Sequence, residues 1–300
     1  MRLPSWLPVV VAAGLLAPGI KSWAAESPAV LDASSSARAS REDLLSLLSD
    51  ADAAKRADAA RALKAYVMDD ARVETALLGV LDRYPEEDAV KREAIKSLSL
   101  PAARFPDADA RKALIRIAQD ERASTGLRAI AYKALYAALY RGFPDVRQAL
   151  QEGLKDSNAY PEVRAGAAWA LWTDAANDPG SRSALLSVAQ DRNEQENLRI
   201  EAVKSLPASL FDPQARTAVL SLAQDRDQPQ DLRRIAVLCL HFMVQDWAIQ
   251  GYLKQAAQDE PMAALKDAAA QALDLAMDAQ LRLLFHLPAL PEPSDPLQNQ

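Results

Sequence analysis

The chain has 300 residues, half of them hydrophobic, and a formal net charge of −6. An acidic chain of this size lacks the positive field that draws DNA or RNA, so nucleic acid is disfavoured as a partner. One cysteine, Cys239, leaves no internal disulfide, and nine glycines are too few for many tight turns, so a helix-rich chain held by its core is expected.

In chain order, residues 1–24 are expected to be a secretory signal. Arg2 gives a basic start, Leu7 to Ile20 is apolar, and Ser22 and Ala24 stand at the small-residue spacing of a cleavage site. The apolar run is shorter than the ~20 residues a spanning helix needs, so cleavage after Ala24 with no membrane span thereafter is favoured over an uncleaved anchor. No cysteine follows the run to accept a lipid. Loss of Arg2 and Lys21 takes the charge from −6 to −8. The expectation is an exported protein, periplasmic or secreted. Residues 25–40 are small, polar and aperiodic and read as a flexible leader.

From residue 41 to 287 the chain repeats. The pattern in "VRAGAAWAL" from Val163 is an aliphatic residue, a basic one, Ala three positions on and Leu four further. It returns from Val90, Leu127, Leu198, Leu232 and Leu265, and from Lys55 without the leading aliphatic, at spacings of 33 to 37 residues. A period in that range marks a solenoid, whose units bury their apolar faces only by stacking. Each copy (helix B) follows a second helical segment (helix A), as in "ARKALIRIAQD" ending at Asp120. The returns to the next helix A carry Phe105-Pro106-Asp107, Phe143-Pro144-Asp145 and Phe211-Asp212-Pro213, where Asp suits the cap and Pro the first turn. No sustained period-two alternation occurs, so no sheet is expected. Pro288, Pro291, Pro293 and Pro296 make residues 288–300 a tail that is not helical.

Over Arg41 to Ala276 this pattern resembles the HEAT-type repeats, in particular the shorter HEAT-like repeats associated with phycobilin lyases. The Trp-Leu-Gly-Tyr pattern of tetratricopeptide repeats is missing. The resemblance implies an all-α, right-handed solenoid of about seven hairpins, with B helices lining the concave face and an Asp–Arg ladder between neighbouring turns. An acid closing helix A and a base in helix B do recur, as Asp120 and Arg128, Asp156 and Arg164, Asp191 and Arg199, Asp225 and Arg233, with Asp259 and Lys266 one residue closer. An acid at a helix C-terminus costs roughly 0.3–1 kcal/mol, so its recurrence calls for a compensating partner. A row of acid–base pairs for catalysis is the other reading, but a copy in every repeat suits a lattice role.

Numbering helix B from its aliphatic start and advancing 100° per residue places positions 1, 5, 8, 9 and 12 over the core and turns position 7 away from it. Position 7 holds Arg61, Lys96, Lys133, Trp169, Lys204, Leu238 and Gln271, a largely basic file interrupted by Trp169. Trp172 and Tyr136 fall at position 10 of their copies, while Tyr132, at position 6, reads as core. Trp169 flanked by Lys133 and Lys204 suits a peptide or acidic partner, since Trp dominates interface hot spots. The competing reading has both indoles fold across Ala129, Ala165 and Gly166 and fill space left by small neighbours. Lys96, Lys133, Lys204, Tyr136, Trp169 and Trp172 are therefore the candidate binding residues.

Signals for catalysis are lacking. His241 and His286 lie in no zinc-binding spacing, Cys239 reads as an inert packed thiol, and no nucleophile elbow or phosphate loop occurs. The expectation is a non-catalytic protein-binding or scaffolding module, without metal or cofactor, that takes an extended or acidic protein segment. An enzyme or chaperone-lyase of the phycobilin-lyase-like class, and carbohydrate binding by the Trp and Tyr faces, stay as alternatives.

Overall fold

The structure, a computed structural model, describes residues 40–285 apart from Glu260. The expected signal at 1–24, all but the last residue of the leader, the tail at 288–300 and His286 lie outside the described residues. Ser40, the leader's last residue, already belongs to the fold: its hydroxyl accepts from the Asp43 N–H at 3.1 Å, and its own N–H donates to Asp43 Oδ2 at 3.0 Å, a reciprocal cap.

The chain divides into two compact units, Met1–Ala218 and Val219–Gln300. The first holds α1 (Arg41–Leu47), α2 (Ala53–Ala62), α3 (Ala71–Asp82), α4 (Asp88–Ser97), the short α5 (Ser99–Ala102), α6 (Asp109–Gln119), α7 (Thr125–Ala134), the short α8 (Tyr136–Tyr140), α9 (Pro144–Lys155), α10 (Pro161–Leu171), α11 (Pro179–Gln190) and α12 (Glu196–Lys204). Helix α13 (Pro213–Gln224) carries the boundary, and the second unit continues with α14 (Gln230–Cys239), a 3-10 turn (Leu240–Met243), α15 (Trp247–Asp259) and α16 (Ala263–Phe285). Helices A and B alternate as the repeat demands, and no strand occurs among the described residues. No helix among them is long and apolar enough to cross a membrane.

In the first unit the B helices α2, α4, α7, α10 and α12 each pack on the next, and the A helices α3, α6, α9 and α11 do the same. Between these two rows lie Leu77, Leu114, Leu150 and Leu185 from the A side and Ile95, Leu135, Leu171 and Leu198 from the B side, all fully buried. Each contributes about 1.5–3 kcal/mol by leaving water, and only stacked neighbours remove that much surface. Buried serines tie the B row together: Ser97 Oγ donates to the Ala60 carbonyl at 2.9 Å and Ser99 Oγ to the Ala134 carbonyl at 2.7 Å. Gly166 permits a close backbone approach of α10 to α7, since a Cβ there would stand 2.5 Å from the Ala129 carbonyl oxygen and 3.0 Å from its Cα.

The A-to-B turn is built the same way four times. Arg128, Arg164, Arg199 and Arg233, all buried, donate through Nε to carbonyls in the last turn of the preceding A helix: Ala118 at 3.1 Å, Leu154 at 2.9 Å, Ala189 at 3.1 Å and Ala223 at 3.3 Å. A helix end leaves carbonyls unsatisfied, and a cation there also meets the negative end of the helix dipole. The aspartates also serve the turn, and among the described residues no ion pair joins Asp120 to Arg128 or Asp156 to Arg164, the pairing expected of them. Asp120, Asp156, Asp191 and Asp225 each accept, through Oδ1, the backbone N–H two residues on, at 2.9 to 3.0 Å, which fixes the turn locally.

Contacts from turn to turn come from other residues. Arg56 meets Glu86 at 2.8 Å and Arg164 donates through Nη1 to Glu194 at 2.8 Å, each reaching the following hairpin. A second series runs along the starts of the A helices, joining Arg41 to Asp70 at 3.1 Å, Arg111 to Asp145 at 2.8 Å, Arg147 to Asp174 at 2.7 Å and Arg182 to Asp212 at 3.3 Å. Arg111 is buried over the Phe143 ring, 4.2 Å from its centroid, and also donates to the Phe105 carbonyl at 2.6 Å. An Arg–Asp ladder thus lies at the B-to-A returns, made by arginines of helix A. The return motifs cap unequally because of their order. Asp212 precedes Pro213 and caps α13, accepting from Gln214 N–H at 3.0 Å while also meeting Arg182, whereas Asp145 follows Pro144 inside the first turn of α9, and α6 and α9 start without a side-chain cap.

In the second unit Arg233 Nη1 lies 3.5 Å from Met262 Sδ, and Tyr252 donates to the Ala223 carbonyl at 2.9 Å. His241 is buried in the 3-10 turn, with Nδ1 2.7 Å from the Leu238 carbonyl and its ring 3.7 Å from that of Phe242. Burial holds its pKa below the ordinary histidine value, against the opposing pull of the Leu238 hydrogen bond.

Four outcomes are expected from this architecture. Arg164→Ala strands the Leu154 carbonyl and Glu194 together and should destabilise the first unit by about 2–4 kcal/mol in denaturant unfolding. Gly166→Ala forces α7 and α10 apart and should cost about 1–3 kcal/mol. Gly79→Ala, in an exposed stretch of α3 with nothing within 4 Å of the added Cβ, should instead stabilise by about 0.5–1 kcal/mol. Because the folded pKa of His241 is depressed, the unfolded chain takes up the proton first. Stability is then complete above the unfolded value of about 6.5 and declines as pH falls below it. Thermal melts between pH 7 and pH 5 should show a steeper loss in the native protein than in His241→Leu.

Candidate functional site

The outer face of the B row in the first unit is built from positions 4, 7 and 10 of successive copies. Position 7 carries the basic file, and an acid one turn earlier answers most of it. Glu93, itself buried, receives Arg61 Nε on Oε2 and Lys96 Nζ on Oε1, both at 3.1 Å, across two hairpins. Arg61 also meets Asp58 at 3.1 Å, and Lys204 donates to Glu201 at 2.7 Å. The file is therefore not the continuous positive strip that position 7 alone suggests. Glu93 was the functional neighbour that position 7 did not reveal, although its i,i+3 spacing to Lys96, repeated by Glu201 and Lys204, is visible in the sequence.

The pattern changes at the third and fourth copies. Position 4 there holds Ile130 and Gly166, so Lys133 has no acid one turn back, and it sits half-buried at the end of α7. Three residues on, Tyr136 opens α8, and its ring meets that of Trp169, from the next B helix, edge to face: centroids 5.7 Å apart, planes at 79°. Both rings are half-buried, so each keeps part of its surface on the face. Such a geometry matches the aromatic quadrupoles and holds both rings in place.

Local sequence explains why this pair forms only here. Gly166 lets α10 lie against the backbone of α7 at Ala129, and Trp169, one turn further along α10, is carried over the end of α7. The small residues Ala129 and Gly166 are thus used by the helix–helix approach itself. Trp172 caps the C-terminus of α10 and is half-buried, and its Nε1 is enclosed without a hydrogen-bond acceptor, as is the neighbouring Thr173 hydroxyl. Tyr132 is buried in the core, its ring against Gly153 of α9, where a Cβ would stand 2.3 Å from the phenolic oxygen.

Of the six candidate residues, the structure joins Tyr136 to Trp169 directly and places Lys133 one turn before Tyr136. Lys96 and Lys204 lie on the flanking B helices and are each held by their own helix's glutamate. The arginines Arg128, Arg164, Arg199 and Arg233 lie inside the turns, buried from this face. Among the described residues, no three His, Cys, Asp or Glu side chains are grouped to hold a metal ion.

A family model described as HEAT repeats matches residues 76–172, the segment that contains Lys96, Lys133, Tyr136, Trp169 and Trp172. No curated protein matches the sequence. Among solved structures, a chain in the complex of Kap95p with RanGDP is 14% identical, with a TM-score of 0.56 over 86% of this chain and 37% of its own length. Importin beta is 13% identical, with a TM-score of 0.52 over 84% of this chain and 35% of its own. This chain therefore spans little more than a third of those two proteins. A chain of the CpcE–CpcF complex of phycocyanin lyase from Nostoc is 18% identical, with a TM-score of 0.47 over 85% of this chain and 97% of its own. Residues 76–172 thus match HEAT repeats, and the alternating hairpins, with one buried arginine closing each of four successive turns, carry the same helical-repeat architecture beyond that segment.

Proposed function

We propose that the chain is an exported, non-catalytic module that binds or scaffolds another protein through the outer face of its B helices. The observation that carries this reading is the Tyr136–Trp169 pair. Two large rings from consecutive hairpins are held edge to face on a surface whose neighbouring copies carry charged pairs at positions 4 and 7, beside a lysine with no acid one turn back. Aromatic anchors with a polar rim are the usual composition of an interface hot spot. The repeat supports the same use, because stacked hairpins present a long semi-rigid surface without needing a unique cleft. The structural neighbours include a complex in which Kap95p binding acts on RanGDP, and the CpcE–CpcF pair, so proteins of this architecture do engage other proteins. Export rests on the basic start, apolar run and small-residue site of residues 1–24.

Two measurements test this. The mature N-terminus, read from exported protein, should be Ala25; an intact Met1 in that fraction would remove the signal reading. Proteins captured from the exported fraction by the native chain should include a set lost with the Trp169→Ala, Lys133→Ala double variant. The same set should be kept by an Arg116→Ala control on the A face. Identical capture by all three baits would show that the aromatic face is not the binding surface.

A further inference from the structure

We infer that the Tyr136–Trp169 site takes an extended acidic proline-rich segment, namely residues 287–300 of a second copy of this chain. This rests on the reading of that face as a protein-binding surface and goes on to name the occupant. The segment reads LPALPEPSDPLQNQ, and it holds two P-x-x-P spacings, Pro288 to Pro291 and Pro293 to Pro296, with Glu292 and Asp295 among them. Prolines at that spacing favour the polyproline II helix, which has three residues per turn, so each pair returns to one face about 9 Å apart. Such a helix is already extended and loses little entropy on binding, and it is recognised by aromatic-lined grooves that receive the pyrrolidine rings.

The aromatic pair has the matching form. Rings at 79° with centroids 5.7 Å apart meet as the two walls of a notch, and a pyrrolidine ring presents a flat apolar edge to such a corner. The charges also correspond. Lys133, three residues before Tyr136, is the lysine of the file whose position-4 neighbour is isoleucine, whereas Lys96 and Lys204 are answered by Glu93 and Glu201. A cation beside the notch meets Glu292 or Asp295 when a flanking proline is seated. The attraction raises the encounter rate and fixes direction more than it adds affinity. Two acidic chains of net charge −6 repel at long range, so a local opposite-charge contact of this kind is what would let one copy approach another.

The test uses a labelled peptide of residues 287–300 and two proteins, the full chain and a chain ending at His286 that keeps every described residue. Fluorescence anisotropy should show binding to the chain ending at His286. Binding should weaken about tenfold or more with Trp169→Ala, the size of a hot-spot loss. Replacing the four prolines of the peptide by alanine should weaken it to a similar degree. Lys133→Glu, a surface change, should weaken binding at low salt, and a peptide carrying Glu292→Lys and Asp295→Lys should recover it on that variant. In sedimentation the full chain should self-associate with rising concentration, and the chain ending at His286 should stay monomeric. If the alanine peptide binds as tightly as the native one and both depend on Trp169, the face binds protein but the proline assignment is overturned. If neither peptide binds the chain ending at His286, or if the full chain is monomeric throughout, the second-copy tail is overturned. The capture experiment on the aromatic face then stands or falls separately.

Discussion

Everything in this fold depends on closing helix A against helix B without leaving helix-end carbonyls buried and unpaired. The groups that meet inside these turns are buried in both units. Arg128, Arg164, Arg199 and Arg233 resolve the problem with one repeated bond, from a buried guanidinium to a carbonyl ten residues earlier. A lysine would serve less well, because the planar fork can hold the carbonyl through Nε and still present its other nitrogens to a further partner. Arg164 does this, turning its outer nitrogens to Glu194 of the next hairpin. One residue thereby closes its own hairpin and registers the following one.

That double role bears on how much was legible. The repeat, the alternation of A and B helices, and the positions of the arginines follow from the recurring aliphatic, basic, Ala and Leu residues. The arginines' acceptors do not, because a main-chain carbonyl has no letter in the sequence. The nearby aspartates, eight residues earlier and of opposite charge, are the obvious partners, yet each turns Oδ1 to the backbone N–H two residues ahead. The ladder that links successive A helices is built from Arg111, Arg147 and Arg182. Its signal was present in the return motifs, where an Asp precedes an Arg by two or four residues. That spacing implies a local i,i+4 contact, and only the stacking distance between repeats makes the next hairpin's acid the nearer partner.

A similar division applies to the B-helix face. Helical periodicity correctly sets position 7 on the outside, because that inference needs only the angle per residue. Position 7 alone does not give the electrostatics of the face, since charge is a property of neighbours. Glu93 sits at position 4 of one copy and serves basic residues of two. In the first unit position 4 loses its acid at Ile130 and Gly166, and the face changes character over those two hairpins. The distinctive stretch therefore arises from what is missing at position 4 as much as from the aromatic residues at positions 7 and 10.

Gly166 links these two levels. Its missing Cβ is what lets α10 close on the Ala129 carbonyl, and closeness is what brings the position-7 side chain of one copy into contact with the position-10 side chain of the preceding one. In a repeat with ordinary helix spacing, an indole and a phenol at those positions would each lie alone on the surface, with no fixed partner to hold a rotamer. Drawn together, they restrict one another, so that less side-chain entropy remains to be lost when a ligand is seated. The same glycine that looks like a packing accommodation thus pre-organises the only aromatic contact described on this face. Stacking alone would not require that this close helix approach coincide with the Tyr136–Trp169 contact.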